Sequence, residues 1–120
     1  MVYFDNNATT RPCEGALATY SKALSRDWRN PSAPSLVAAR VRAKLDLVRE
    51  KLAACLGVFP DTVSFTSGAT ESNNAVFSHI SRYAPPHSRV LLSPVEHPSV
   101  REAASRYFSG RVDELPADGS

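Results

Sequence analysis

Hydrophobic residues recur along residues 36–56 with the spacing of one helix face. The steps between them are four, four, three, four and four, and the residues are Val37, Val41, Leu45, Val48, Leu52 and Leu56. This spacing is close to the 3.6-residue period of an α-helix. Gly57 follows, where a left-handed glycine commonly ends a helix. The pattern therefore predicts an amphipathic helix over residues 36–56 with one solvated face.

The residues before this helix predict a shorter one. Residues 2–10 are rich in Asn and Thr and favour an extended segment. Pro12 suits the first position of a helix. Three apolar residues then share one helix face, namely Leu17, Tyr20 and Leu24. Two prolines within residues 28–34 prevent that helix from continuing, so we expect a loop there.

The second half of the chain alternates strand-like and helical segments. Residues 62–66 are rich in β-prone side chains, and residues 67–71 form a turn into a helix ended by a double proline. Residues 90–92 are a continuous apolar run, typical of a strand buried on both faces. Residues 99–102 have the form of a capping box, and residues 111–115 can form a third strand. Such alternation predicts an α/β fold with a mostly parallel, doubly wound sheet flanked by helices.

Composition narrows the function classes. The chain has 120 residues, 42% of them hydrophobic, with a formal net charge of +2. The sequence has no basic run with interleaved aromatic residues, which makes nucleic acid a poor partner. Its apolar runs are far shorter than the roughly 20 residues of a membrane span. The first residues lack the pattern of a signal peptide, so we expect a cytoplasmic protein that binds neither nucleic acid nor membrane.

Two segments follow predicted strands, where parallel sheets bind ligands. The first is residues 67–70 (SGAT), in which Ala69 and Thr70 begin a helix. Backbone N–H groups and the positive dipole end make a helix start a phosphate site. Caps far outnumber phosphate sites, however, and Ser67 and Thr70 can equally serve as caps alone.

The second segment contains His97, beside Glu96 and just before a predicted helix. A lone histidine is more often a packed or surface residue than a catalytic one. At a strand end beside the phosphate-like turn, it can also act as an acid/base group or stack on a planar cofactor. His79 and His87 lack this placement, and we expect them to be solvated.

Cysteine and lysine are scarce. Cys13 and Cys55 lie 42 positions apart without the spacing of a zinc site. Cys55 is expected to be a small core residue. Cys13, near a helix start, can be a reactive thiol, although this is the less favoured interpretation. Chemistry that needs a particular lysine must use Lys22, Lys44 or Lys51, or come from outside these residues.

Four segments together resemble a known family, the cysteine desulfurases among the class V aminotransferase-like enzymes. They occur in the family's order over nearly the whole chain: residues 3–10 (YFDNNATT), 30–32 (NPS), 63–74 (VSFTSGATESNN) and 96–100 (EHPSV). The resemblance implies a fold type I large domain that binds pyridoxal 5′-phosphate (PLP), usually in a homodimer. By position, Ala69 and Thr70 would bind the PLP phosphate, and His97 would stack on its pyridine ring as a catalytic residue.

The family converts L-cysteine to L-alanine and an enzyme persulfide, whose sulfur goes to an acceptor protein for iron–sulfur cluster assembly or tRNA thiolation. This chain departs from the family at Ser35, where a histidine is usual, and at Ala38, where a glycine is expected. Nothing in it matches the family's Schiff-base lysine, its persulfide-forming cysteine or the aspartate that pairs with the pyridine nitrogen. We therefore expect the N-terminal third of the enzyme, inactive alone.

The resemblance divides the chain into an extended N-terminal segment, residues 1–12, and a partial PLP-binding large domain, residues 13–120. Two alternatives stay open. One is another member of the same group, such as a selenocysteine lyase or an aminotransferase. The other is a non-catalytic truncated module that pairs with a partner chain.

Overall fold

The computed structural model describes residues 2–116. The chain divides into two compact units, Met1–Val63 and Ser64–Ser120. In chain order, the elements within that range are α1 (Glu14–Arg26), α2 (Leu36–Leu56), a 3₁₀ turn (Pro60–Thr62), α3 (Ala69–Tyr83), β1 (Val90–Leu92), α4 (Pro98–Tyr107) and β2 (Val112–Glu114). The predicted boundary between residues 1–12 and 13–120 stays a prediction. No helix among the described residues is long and apolar enough to cross a membrane.

The long helix α2 of the first unit confirms the predicted helix over residues 36–56. Ser35 caps its start, because its hydroxyl accepts a hydrogen bond from the Ala38 N–H at 3.2 Å. Gly57 ends it in the left-handed conformation, with φ of 68°. Both ends are thus set by residues next to the helix.

The buried residues of α2 differ from the expected apolar stripe. Ala38, Val41 and Ala53 are buried, whereas the larger stripe residues Leu45, Val48, Leu52 and Leu56 are exposed. Cys55 is exposed too, so its prediction as a core residue is wrong. Helix periodicity identifies one face, but it does not say how much of that face other elements cover.

The helix α1 confirms the predicted shorter helix, although it begins at Glu14 after Cys13 as N-cap. The three apolar residues predicted on its face remain exposed, and they are Leu17, Tyr20 and Leu24. Residues 2–5 and 9–10 belong to no helix or strand, and residues 6–8 form a turn in which the Ala8 N–H donates to the Asp5 carbonyl at 3.2 Å.

The strand predicted over residues 62–66 is wrong. Thr62 belongs to the 3₁₀ turn, and the Val63 N–H donates to the Pro60 carbonyl at 3.2 Å. The Val63 carbonyl accepts a hydrogen bond from Arg49 Nε of α2 at 3.2 Å. The N–H and the carbonyl of Val63 are therefore both bonded to groups outside a strand. Only β1 and β2 form a sheet in the described part of the chain.

The second unit contains the predicted parallel sheet. β1 and β2 pair in parallel, with Val90 opposite Val112, and α4 connects them as a β–α–β unit. This confirms an α/β arrangement and the third strand. Leu91, however, is 62% exposed, so the prediction that β1 is buried on both faces is wrong.

The core of this unit lies around α4. Ala103, Ala104 and Phe108 are buried, together with Leu92 of β1. Phe77 of α3 meets Phe108 edge to face, with ring centroids 6.4 Å apart and planes at 76°. α3 is thereby packed against α4, which brings residues from the two helices into contact near their N-terminal turns.

Candidate functional site

The start of α3 carries the predicted phosphate-binding turn. Its N-cap is Gly68, which offers no side-chain hydrogen bond to the first helical turn. The first N–H groups of a helix have no intrahelical acceptor, so the Ala69 and Thr70 amides are free to bind an anion. Both residues are exposed. The positive dipole end of this 15-residue helix favours negative charge at the same place.

The neighbouring hydroxyl groups do not cap the start of α3. Ser67 directs its hydroxyl to Glu71 Oε2, at 2.7 Å, and not to a helix amide. Thr66 Oγ1 lies 2.7 Å from Ser72 Oγ. In residues 2–116, the Thr70 hydroxyl makes no hydrogen bond to another protein group. The interpretation as caps alone is therefore not supported at Ser67 and Thr70.

Gly68 leaves room at this turn. A Cβ atom added there would meet no other atom within 4 Å. Its φ of 163° is extended backbone that any residue adopts. Gly68 therefore leaves open space at the helix start, although the local fold does not demand glycine.

Glu71 is a negative charge in the first turn of α3. Its carboxylate accepts hydrogen bonds from both the N–H and the hydroxyl of Ser67, at 2.8 and 2.7 Å. The Ser67 hydroxyl and then its N–H lower the pKa of Glu71, against a small opposing effect of desolvation. The ionised carboxylate of Glu71 thus stabilises the turn through its two hydrogen bonds with Ser67.

His97 is the N-cap of α4, a different role from the one its neighbours predict. The helix begins at Pro98, and the Ser99 N–H donates to His97 Nδ1 at 3.1 Å. The predicted capping box starting at Ser99 is therefore wrong, since the cap lies two residues earlier. The His97 ring itself is exposed. Because Nδ1 accepts, the neutral ring carries its proton on Nε2.

A hydrogen bond between side chains joins the two helix starts. Asn73 Nδ2 donates to Ser99 Oγ at 3.0 Å, and Ser99 Oγ lies 2.9 Å from His97 Nδ1. Asn73 follows Thr70 by one helical turn. Sequence reasoning missed this pair because it treated Asn73 only as part of a motif and Ser99 only as a cap. No signal in the sequence identifies the pair, because the contact depends on how α3 packs against α4.

The remaining candidates lie elsewhere in the chain. All three lysines and both cysteines precede Val63, whereas Ala69, Thr70 and His97 belong to the second unit. Lys44 pairs with Asp27 at 2.5 Å. Among the described residues, no group of three or more His, Cys, Asp or Glu side chains is placed to hold a metal ion.

Comparison with known proteins places these features in context. The family described as Aminotransferase class-V matches residues 2–118. A NifS/IcsS protein homolog from Lactobacillus delbrueckii subsp. bulgaricus is 37% identical over 98% of this chain and 31% of its own length. A cysteine desulfurase from Sinorhizobium fredii is 35% identical, with the same coverage of 98% and 31%.

Selenocysteine lyases are also similar to this chain. The one from Xenopus laevis is 34% identical over 82% of this chain and 26% of its own length. The chain thus spans about a third or less of the curated relatives it matches. No solved structure gives a significant match.

Proposed function

This chain belongs to the class V aminotransferase family, and we propose that it is the N-terminal part of a PLP-dependent cysteine desulfurase. The observation that carries the proposal is the start of α3, where the amides of Ala69 and Thr70 and the Thr70 hydroxyl have no partner in the described chain. The relatives named cysteine desulfurase, such as the Sinorhizobium fredii protein, support the choice within the family.

The donors at this turn suit the phosphate of PLP. Backbone amides at a helix start bind phosphate through hydrogen bonds and through the helix dipole. The open space at Gly68 admits a ligand without moving a side chain. We assign the phosphate to Ala69 and Thr70 and the pyridine ring to His97. When bound, PLP supplies an electron sink for bond cleavage in an amino-acid substrate.

The contribution of this chain to catalysis is binding, orientation and one proton-carrying atom. Ala69 and Thr70 anchor one end of the site, so the flat ring of His97 can orient the other end. Its Nδ1 is occupied by the Ser99 N–H. Proton exchange with substrate therefore falls to His97 Nε2, which points away from that bond on the opposite side of the ring.

The proposed reaction converts L-cysteine to L-alanine and leaves a persulfide on the enzyme. The lysine and cysteine that this reaction needs are not supplied by the second unit, whose residues up to 120 contain neither. We propose that they come from residues outside this chain, in a homodimer of the complete enzyme. The sulfur would pass to an acceptor protein for iron–sulfur cluster assembly or tRNA thiolation.

The proposed location is the cytoplasm. Cys13 and Cys55 are free and exposed thiols, which suits a reducing compartment. If oxidation of either thiol makes the purified protein insoluble and a reductant restores its solubility, this location is supported.

A selenocysteine lyase is the second candidate, favoured by relatives of that name at 34% identity. The test is a comparison of L-cysteine and L-selenocysteine as substrates for the protein of the whole reading frame, with PLP and a thiol reductant. Alanine from both, with sulfide from L-cysteine, supports the desulfurase. Alanine from L-selenocysteine alone supports the lyase, and no alanine from either contradicts both.

A non-catalytic module that pairs with a partner chain is the third candidate. The exposed apolar side chains of α3 favour it, since Val76, Ile80 and Tyr83 are 53%, 45% and 76% exposed. Mixing this chain with the remaining part of a desulfurase distinguishes the two roles. A gain of PLP absorbance without turnover supports the module, and turnover supports the enzyme part.

A further inference from the structure

We propose that Asn73 and Ser99 are positioning residues that fix the tautomer and the orientation of the His97 ring. They do so through one hydrogen-bond chain, from Asn73 Nδ2 to Ser99 Oγ at 3.0 Å and from Ser99 Oγ to His97 Nδ1 at 2.9 Å. The inference rests on the proposed function, in which His97 stacks on the cofactor ring.

The donor and acceptor groups of Asn73, Ser99 and His97 determine the direction of the hydrogen bonds between them. The amide nitrogen of Asn73 can only donate, so Ser99 Oγ accepts there. The hydroxyl hydrogen of Ser99 is then available to His97 Nδ1. The Ser99 N–H also points at Nδ1, at 3.1 Å, and it too can only donate. The contact from the Ser99 N–H requires Nδ1 without a proton, so the neutral ring holds its proton on Nε2 and the Ser99 hydroxyl donates to Nδ1.

Burial makes this arrangement specific. Ser99 is the buried polar residue of the described chain, with 9% of its surface exposed. Every buried side-chain nitrogen or oxygen atom in residues 2–116 has a hydrogen-bond partner. A buried hydroxyl that lost its partners would be costly. The exposed ring of His97 is thus tied to a buried and fully bonded group, which restricts its rotation.

The contacts exceed what a helix cap requires. Ser, Thr, Asp and Asn are the residues that commonly cap a helix start, and histidine is not among them. The cap needs only the bond from the Ser99 N–H to His97 Nδ1. In addition, the Ser99 hydroxyl contacts Nδ1 and accepts a hydrogen bond from Asn73 of α3. Asn73 lies one turn after Thr70. The helix that presents the phosphate-binding amides therefore also orients the ring.

The first test reads the tautomer of His97 in the PLP-free protein. The protein is labelled with ¹⁵N-histidine, and two-bond ¹H–¹⁵N correlation shows which ring nitrogen carries the proton. His97→Asn assigns the signal among the three histidines. We expect the Nε2–H form in the wild type. An Nδ1–H form would overturn the proposal.

Variants then test the direction of the hydrogen bonds from Asn73 to Ser99 and from Ser99 to His97. Asn73→Asp keeps the shape of the side chain but replaces the donor by an acceptor, so the Ser99 hydroxyl turns toward the carboxylate. We expect the Nδ1 resonance to shift, whereas Ser99→Thr, which retains the hydroxyl, leaves it in place. Ser81→Ala is the matched control, because the Ser81 hydroxyl bonds only within α3, to the Ser78 carbonyl at 2.9 Å. An Nδ1 resonance equal in Asn73→Asp and wild type would contradict the inference.

The second test measures PLP affinity by spectrophotometric titration of the same variants, made in the protein of the whole reading frame. We expect about five-fold weaker binding for Ser99→Ala and Asn73→Asp, and wild-type binding for Ser99→Thr and Ser81→Ala. Equal affinity in all four variants would overturn the positioning role. If the wild type binds no PLP, the proposed function fails, while the tautomer experiment still decides the hydrogen-bond chain. The two hypotheses therefore fail separately.

Discussion

Ser67 donates two hydrogen bonds to one carboxylate oxygen of Glu71, from its N–H at 2.8 Å and from its hydroxyl at 2.7 Å. These bonds close the turn that precedes α3 and leave the Ala69 and Thr70 amides unbonded. The turn that carries the candidate phosphate site is thus stabilised by hydrogen bonds between its own residues.

The stability of this turn should fall at acid pH, where Glu71 becomes protonated. The pKa of Glu71 is lowered from its ordinary value of 4.5 in the folded protein. Its contribution to stability is therefore complete above that value and is lost as pH falls through the folded pKa. Urea unfolding at a series of pH values between 7 and 3 measures the effect. The control Glu71→Gln should lose less stability over this range than the wild type, and equal losses would contradict the assignment.

Thr70→Ala should weaken PLP binding about ten-fold, because a hydrogen bond to a charged phosphate is lost. The stability of the protein without PLP should change by less than about 0.5 kcal/mol, because the hydroxyl has no partner in the described chain. Titration of PLP and urea unfolding provide the two measurements. Thr70→Ser retains the hydroxyl and should bind nearly as wild type. Equal binding by Thr70→Ala would remove Thr70 from the site.

Phe108→Ala should destabilise the second unit by about 3–5 kcal/mol, because this ring is buried and meets Phe77 edge to face. Urea unfolding followed by far-ultraviolet circular dichroism measures the change. Phe108→Leu keeps most of the volume and should cost clearly less. A loss below 1 kcal/mol for the alanine variant would contradict the core described around α4.

The 120-residue chain should form no alanine from L-cysteine when supplied with PLP, because nothing in it matches the family's Schiff-base lysine or persulfide-forming cysteine. Covalent catalysis needs an activated nucleophile held in place. Quantification of alanine after prolonged incubation tests this, with a complete cysteine desulfurase as the positive control. Sustained turnover by the chain alone would refute the proposal that it is one part of the enzyme.

Local determinants explain why α2 was predictable to its terminal residues. Ser35 caps it and Gly57 ends it, and both lie beside the helix in sequence. The strand predicted at residues 62–66 failed for the opposite reason, because β structure needs a partner strand and the Val63 carbonyl is taken by Arg49. Side-chain pattern alone does not reveal such competition for backbone groups.

The candidate site also has one part that was predictable from local sequence and one part that was not. The helix start at Ala69 and Thr70 was predictable from the local sequence, and helix starts carry free amides whatever the rest of the fold does. The binding of phosphate there stays a prediction. The contact between Asn73 and Ser99 spans 26 positions and depends on how α3 packs against α4. Its consequence for the tautomer of His97 could therefore not be derived from the sequence.

A crystal structure of the protein of the whole reading frame, grown with PLP, tests the central claim most directly. We predict the phosphate within hydrogen-bond distance of the Ala69 and Thr70 amides and the Thr70 hydroxyl, with the pyridine ring stacked on His97. A phosphate bound away from the start of α3, or a His97 ring without contact to the cofactor, would contradict the account.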